Sequence, residues 1–218
     1  MLVCPRQKYC WIEVPKTGSS ALNAALSGRV FLHPMKHISG HNARRLMSAP
    51  LWDAYDTWAV IREPVDWLGS WYRFFLKADQ DGRPRSYSLR KKRRWSFFGS
   101  GKLMSFNDFI AETIDDEDLS LRLRPQASYV TDHSDGKILI KNLIAYSNLP
   151  DEMTRFAQIY GIRNFSLPEV NIGAGDDTGK ISDETIAIIR EKWAVDFSLY
   201  DHTLKSQKHE FPSGEGIS

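Results

Sequence analysis

Residues 15–20 read Pro-Lys-Thr-Gly-Ser-Ser, which gathers one cation, three hydroxyls and a glycine into a single turn. Ahead of them, Tyr9-Cys10-Trp11-Ile12-Glu13-Val14 is aromatic and β-branched and reads as a short buried strand. Pro15 ends that strand, and a helix is expected over about Ser20 to Leu26, with Gly28 as its stop. Strand, tight turn and helix in that order open a phosphate-binding α/β unit. Free backbone N–H groups and the helix dipole favour an anion there. Lys16 adds a full charge, and Thr17, Ser19 and Ser20 add hydroxyl donors. The nucleotide triphosphatase pattern G-x-x-x-x-G-K-[ST] is absent, because here the lysine leads the turn and there is one glycine. The turn is therefore expected to bind a phosphate ester without magnesium, through Pro15, Lys16, Thr17, Gly18, Ser19 and Ser20.

A second segment follows. Thr57-Trp58-Ala59-Val60-Ile61 is a continuous apolar run, as suits a strand covered on both faces. Arg62-Glu63 ends it, and Pro64 opens a helix whose apolar stripe is Val65, Leu68, Tyr72 and Phe75. Ser70 lies on the opposite, polar stripe with Glu63, Asp66 and Arg73. Arginine matches a phosphate bidentately, so Arg62 and Ser70 are candidates for a second phosphate. A salt bridge at the strand end is the plainer use of Arg62. Six histidines occur, and His33, His37 and His41 cluster between the two segments. Histidine is the side chain best suited to take a proton near pH 7. His37 and His41 have the i,i+4 spacing of metal ligands, but no third ligand of the H-E-x-x-H kind accompanies them, and no metal is expected.

Pro-Lys-Thr-Gly-Ser-Ser closely resembles the 5′-phosphosulfate loop of sulfotransferases that use 3′-phosphoadenosine 5′-phosphosulfate (PAPS). Val60-Ile61-Arg62-Glu63-Pro64, followed by Ser70-Trp71-Tyr72, is similar to that family's 3′-phosphate motif, with Glu63 where the family usually has a smaller polar residue. Lys36-His37-Ile38-Ser39 resembles the lysine–histidine segment of bacterial members related to carbohydrate sulfotransferases. Leu167-Pro168-Glu169-Val170-Asn171 and a helix from Ser182 ending in Asp196-Phe197 also look similar, so the likeness spans about residues 9–200. Tyr146-Ser147-Asn148-Leu149 departs from it, since relatives commonly carry a glutamate there.

The resemblance implies a P-loop-like three-layer α/β fold with a mostly parallel sheet and flanking helices. It implies transfer of a sulfuryl group from PAPS to a hydroxyl acceptor, a carbohydrate among the options, leaving 3′,5′-bisphosphoadenosine. Lys16 would neutralise charge on the leaving oxygen, and the resemblance selects His37 as the base, with His41 as the alternate. Arg62 and Ser70 would hold the 3′-phosphate. Two rivals stand beside this reading. A nucleotide-dependent small-molecule kinase would need magnesium and a second acidic ligand. A non-enzymatic polyanion-binding protein would centre on the basic stretch described next.

Residues 82–107 contain no acidic residue, and Arg83, Arg85, Arg90, Lys91, Lys92, Arg93 and Arg94 crowd one part of them. Residues 82–104 read as an insertion or loop: solvated, or collecting an anionic acceptor such as an acidic glycan, or touching nucleic acid or an anionic membrane. Specific nucleic-acid recognition is not expected. The other elements read as a short strand at Val30–His33, helices at Gly40–Ser48 (capped by Ser39), Phe106–Ile114 and Asp151–Tyr160, and a strand at Ile138–Ile140. Ser182 caps a last helix with the stripe Ile186, Ile189, Trp193 and Phe197. One domain is expected over residues 1–204, with a disordered polar tail over 205–218.

The 218 residues carry 29 Lys plus Arg against 27 Asp plus Glu, a net charge of +2 that gives no global polyanion signal. Aromatics at 12% exclude global disorder, and no run of 18 apolar residues exists to span a membrane. Cys4 and Cys10 are too few for a disulfide framework or a four-ligand zinc site. With no secretory signal visible at the N-terminus, a cytoplasmic, reducing setting is the expectation.

Overall fold

The structure, a computed structural model, describes residues 1–80, 104–115, 123–168 and 178–209. The basic stretch Arg83–Arg94 and the segment Glu169–Asn171 lie outside these residues. The chain divides into two compact units where one domain over 1–204 is expected from the sequence. The first comprises Met1–Glu63, Pro125–Asn171 and Val195–Ser218, and the second comprises Pro64–Arg124 and Ile172–Ala194.

The first unit is built on a five-stranded sheet of order β3-β1-β2-β4-β5. Its strands are β1 (Leu2–Cys4), β2 (Tyr9–Ile12), β3 (Phe31–Leu32), β4 (Asp56–Ile61) and β5 (Asn142–Ala145). β2, β4 and β5 run parallel, with Ile12 opposite Ala59 and Ile61 opposite Ala145. β1 is antiparallel to both β2 and β3. The sheet is thus mixed rather than mostly parallel. The cause is a hairpin the sequence hides: Leu2-Val3-Cys4 is too short to show a period, and its turn is closed by Lys8 in the left-handed region at φ 54°.

Strand alternation divides the core in two. Cys10, Ile12, Ala59 and Ile61 face one layer, with Ile38, Ala43 of α2 (Gly40–Met47), Trp52 of α3 (Ala49–Asp53), Val130 of α6 (Ala127–Val130) and Leu199 of α9 (Ala194–His209). Tyr9, Trp11, Trp58 and Val60 face the other, with Leu22 of α1 (Ser19–Ala25) and Met153 and Phe156 of α7 (Leu149–Ile159). Helices on both faces of a sheet whose strands alternate between two cores make this unit a three-layer α/β structure. Phe156 is the hub of its layer, with ring centroids 5.0 Å from Tyr9, 5.3 Å from Trp11 and 5.2 Å from Trp58.

The second unit holds α4 (Pro64–Gln80), α5 (Phe106–Asp115) and α8 (Asp183–Lys192). Tyr72 donates to the Met104 carbonyl at 2.7 Å, and its ring lies 5.7 Å from both Phe106 and Phe109. Asn107 ties α5 to the start of α8, donating to Lys180 O and accepting from Ser182 N, both at 3.1 Å. No helix among the described residues is long and apolar enough to cross a membrane.

Local readings hold at several points. Ser39 accepts from Asn42 N at 3.3 Å and Ser182 accepts from Thr185 N at 3.1 Å, so both serines cap their helices. Two readings are corrected. Ile138 makes only an isolated bridge with Thr131, and the strand is Asn142–Ala145. Thr57 sets that register, because its hydroxyl accepts from Lys141 N at 2.9 Å and its carbonyl from Asn142 Nδ2 at 3.2 Å. The helix from Ser182 does not run on to Phe197. It breaks at Trp193 (φ −114°, ψ 28°), whose buried indole donates to Leu123 O at 2.7 Å. A new helix, α9, then runs to His209, past the point where a tail is expected.

Phe156→Ala should lower unfolding free energy by about 3–5 kcal/mol, the range for emptying a buried aromatic site. Chemical denaturation checks this, and an unchanged midpoint would show that the three aromatic strand residues do not depend on this hub.

Candidate active site

The carboxyl ends of β2, β4 and β5 lie side by side, since these neighbours are parallel. Whatever follows each strand is therefore delivered to one edge of the sheet. After β2 comes the Pro15–Ser20 turn, after β4 comes Arg62, and after β5 comes the short 3₁₀ turn Tyr146–Asn148.

The turn is strained and tightly packed. Lys16 has φ 66° and Gly18 has φ 88°, both left-handed. That conformation costs a non-glycine residue about 1–2 kcal/mol, so Lys16 holds it only because its surroundings impose it. A Cβ built on Gly18 would meet Leu149 Cδ2 at 3.1 Å and Tyr146 Cε2 at 3.3 Å, so glycine is required for space as well as for φ. Thr17 is buried and its hydroxyl donates to Val14 O at 2.9 Å. That hydroxyl locks the turn, whereas the sequence places it among the phosphate donors. Ser19 is buried at the start of α1, and Ser20 beside it is half-buried.

Arg62 meets this turn directly. Its Nη1 donates to the Lys16 carbonyl at 3.3 Å, and its guanidinium carbon lies 4.4 Å from the Tyr146 ring centroid. Arg62, the Lys16 turn and Tyr146 therefore form one cluster at the ends of three adjacent strands. Ser70, expected to act with Arg62, is half-buried on α4 of the second unit.

His37 reaches the same strand end. Its Nδ1 lies 2.8 Å from the carbonyl oxygen of Glu13, the residue just past β2. A carbonyl only accepts, so Nδ1 carries the proton and a neutral ring presents Nε2 as its base. Burial holds the His37 pKa below the usual imidazole range, although the bond to Glu13 supports the charged form. The Glu13 side chain is buried, and its carboxylate accepts from Asn23 of α1 and from the Met1 amino group, both at 2.7 Å.

The other histidines have different partners. His33 Nδ1 accepts from Met35 N at 3.1 Å. His41 Nδ1 lies 3.2 Å from Asp132 Oδ1, and its ring stacks on His133 with centroids 4.4 Å apart. Among the described residues no group of three or more His, Cys, Asp or Glu could hold a metal ion.

Sequence reasoning missed four contributors. Tyr146 was visible only as a departure from a motif. Glu13 was read as the interior of a strand. Gln126 and Asp196 carried no local signal, yet both are fully buried. Gln126 Oε1 accepts from Arg62 N at 3.0 Å and its Nε2 donates to Arg62 O at 2.8 Å. Asp196 accepts from Gln126 N at 2.7 Å and Ala127 N at 2.9 Å. Comparison of the chain with family models, curated proteins and solved structures found no match.

Gly18→Ala should lower stability by about 1–3 kcal/mol, combining left-handed strain with the two close contacts. Gly28→Ala is the control, since Gly28 has φ +74° with nothing within 4 Å of its Cβ position. Chemical denaturation of both variants separates the two costs, and equal losses would show that the Tyr146 and Leu149 contacts yield freely.

Proposed function

We propose that this protein is a sulfotransferase that moves the sulfuryl group of PAPS to a hydroxyl acceptor. The observation that carries the reading is the contact between Arg62 and the Lys16 carbonyl. The two segments read from the sequence as phosphate-binding are 46 residues apart and meet there. His37 docked on Glu13 O, beside the same turn, supplies the third part.

In this reading Lys16 and the backbone N–H groups of the turn hold the 5′-phosphosulfate. Arg62 takes the 3′-phosphate, together with Ser70 as the sequence motif implies. The acceptor oxygen attacks sulfur in line, the sulfur–oxygen bond to the 5′-phosphate breaks, and the bisphosphate leaves with the electron pair. The acceptor's proton passes to His37 Nε2. Little covalent chemistry falls to the protein, so placement and charge stabilisation supply most of the rate. Lys16 matters most as charge grows on the leaving oxygen.

Three measurements test this. The bisphosphate 3′,5′-bisphosphoadenosine should raise the melting temperature without added metal, and more than 5′-AMP does. Equal shifts from the two nucleotides would remove Arg62 from the 3′-phosphate. With PAPS and an alkyl alcohol acceptor, His37→Ala should lower kcat by about 10²–10⁴-fold with little change in nucleotide affinity. Wild-type turnover by that variant would end its role. A base must be neutral, so the wild-type rate should fall as pH drops through the His37 pKa, below the usual imidazole value. A flat profile down to pH 5 would place the proton acceptor elsewhere.

A further inference from the structure

We propose that Gln126, itself held by Asp196, is the positioning residue for Arg62. This rests on the reading of Arg62 as a nucleotide ligand. β4 ends at Ile61, so the ladder no longer fixes the backbone of the next residue. At that point the Gln126 carboxamide takes over, accepting from Arg62 N at 3.0 Å and donating to Arg62 O at 2.8 Å. One side chain thus satisfies both backbone groups of one residue, as a neighbouring strand would.

Side-chain chemistry makes glutamine specific here. Glutamate could accept from Arg62 N but could not donate to Arg62 O when ionised. Asparagine has the same groups on a stem one methylene shorter. Leucine fills similar space with neither donor nor acceptor. Gln126 is itself fixed from behind, because Asp196 takes the N–H groups of Gln126 and Ala127 on its two oxygens, at 2.7 and 2.9 Å. Gln126 and Asp196 are both fully buried, so water does not compete for these bonds.

The bonds join positions far apart in sequence, 64 residues from Gln126 to Arg62 and 69 to 70 from Asp196 to the Gln126 turn. Their combined effect is to fix where the Arg62 backbone points as it leaves β4. The guanidinium then starts from a defined origin and reaches Lys16 O and the Tyr146 ring. A bidentate phosphate contact tolerates little angular error, so a loose backbone at Arg62 would cost 3′-phosphate recognition before it cost the 5′-phosphate loop.

The test is isothermal titration of wild type, Gln126→Glu, Gln126→Leu, Arg62→Ala and the Gln126→Leu/Arg62→Ala double variant, each with 3′,5′-bisphosphoadenosine and with 5′-AMP. Thermal melts confirm that each is folded. In wild type the bisphosphate should bind more tightly. Gln126→Leu should reduce that preference by about ten-fold, while 5′-AMP affinity changes less than about three-fold. Gln126→Glu, the closer isostere, should reduce the preference in the same direction and keeps the test open if the leucine variant does not fold. In the Arg62→Ala background Gln126→Leu should change bisphosphate affinity no further, because a positioning residue has nothing left to position. A wild-type preference that both Gln126 variants retain overturns this proposal and leaves the nucleotide reading standing. A further loss in the Arg62→Ala background also overturns it, by showing a general structural role. A wild type with no preference overturns the nucleotide reading, and this proposal with it.

Discussion

Everything proposed for this protein depends on the parallel register of β2, β4 and β5. Parallel neighbours end on the same edge, so residues 13–18, Arg62 and Tyr146 are forced together without any long-range motif between them. Reversing any one of the three strands would send its loop to the opposite edge. The register is secured by burial, since the Trp11, Trp58 and Phe156 rings interlock on one face with centroids 5.2 to 5.5 Å apart. Slipping β4 by one residue would exchange the residues facing its two cores, moving Trp58 out of this cluster. The aromatic layer is thus what holds the chemistry-bearing ends in line.

The same edge is where the fold carries its local costs. Lys16 sits in a left-handed conformation that a glycine would adopt more cheaply. Glu13, Gln126 and Asp196 are buried polar groups. Each is tolerated because partners meet it: Asn23 and the Met1 amino group at Glu13, the Arg62 backbone at Gln126, and paired N–H groups at Asp196. Burial still pushes the Asp196 carboxyl up to about 6, despite its two donors. A native pKa above the unfolded one means the native state holds the extra proton, so this group's contribution to stability falls as pH rises from about 4 to about 6. Strain and buried polarity gathered at one strand edge, with apolar packing on both faces of the sheet behind it, is the distribution expected of a site rather than of a scaffold.

What the sequence made legible was local. The turn at residues 15–18, the Ser39 and Ser182 caps, the apolar run of β4 and the Pro64 helix start each depend on residues a few positions apart, and each is present. What it hid was settled at a distance. Asn142–Ala145 is a weaker strand by composition than Ile138–Ile140, but Thr57, more than 80 residues away, anchors the former. The hairpin of Leu2–Cys4 has three residues and no period to read, and it turns an expected mostly parallel sheet into a mixed one. The Trp193 break reflects a hydrogen bond to Leu123, 70 residues upstream. Gln126 and Asp196 are invisible for the same reason, since a lone glutamine after a proline has no pattern to betray it.

The contrast between His37 and His41 shows why position alone did not decide the base. They lie one helical turn apart in sequence, and residue type and spacing treat them alike. The structure does not. His41 is drawn to the Asp132 carboxylate and lies flat against His133. His37 instead meets a neutral carbonyl in a half-buried setting. A carboxylate partner at Nδ1 stabilises imidazolium, whereas a carbonyl mainly fixes which nitrogen carries the proton. The carbonyl belongs to Glu13, three residues before Lys16, so the contact that fixes the His37 tautomer also fixes its distance from the turn. A base needs both a vacant nitrogen and a defined place beside the reacting group. One hydrogen bond to the end of β2 supplies the two together, which spacing along the chain could not reveal.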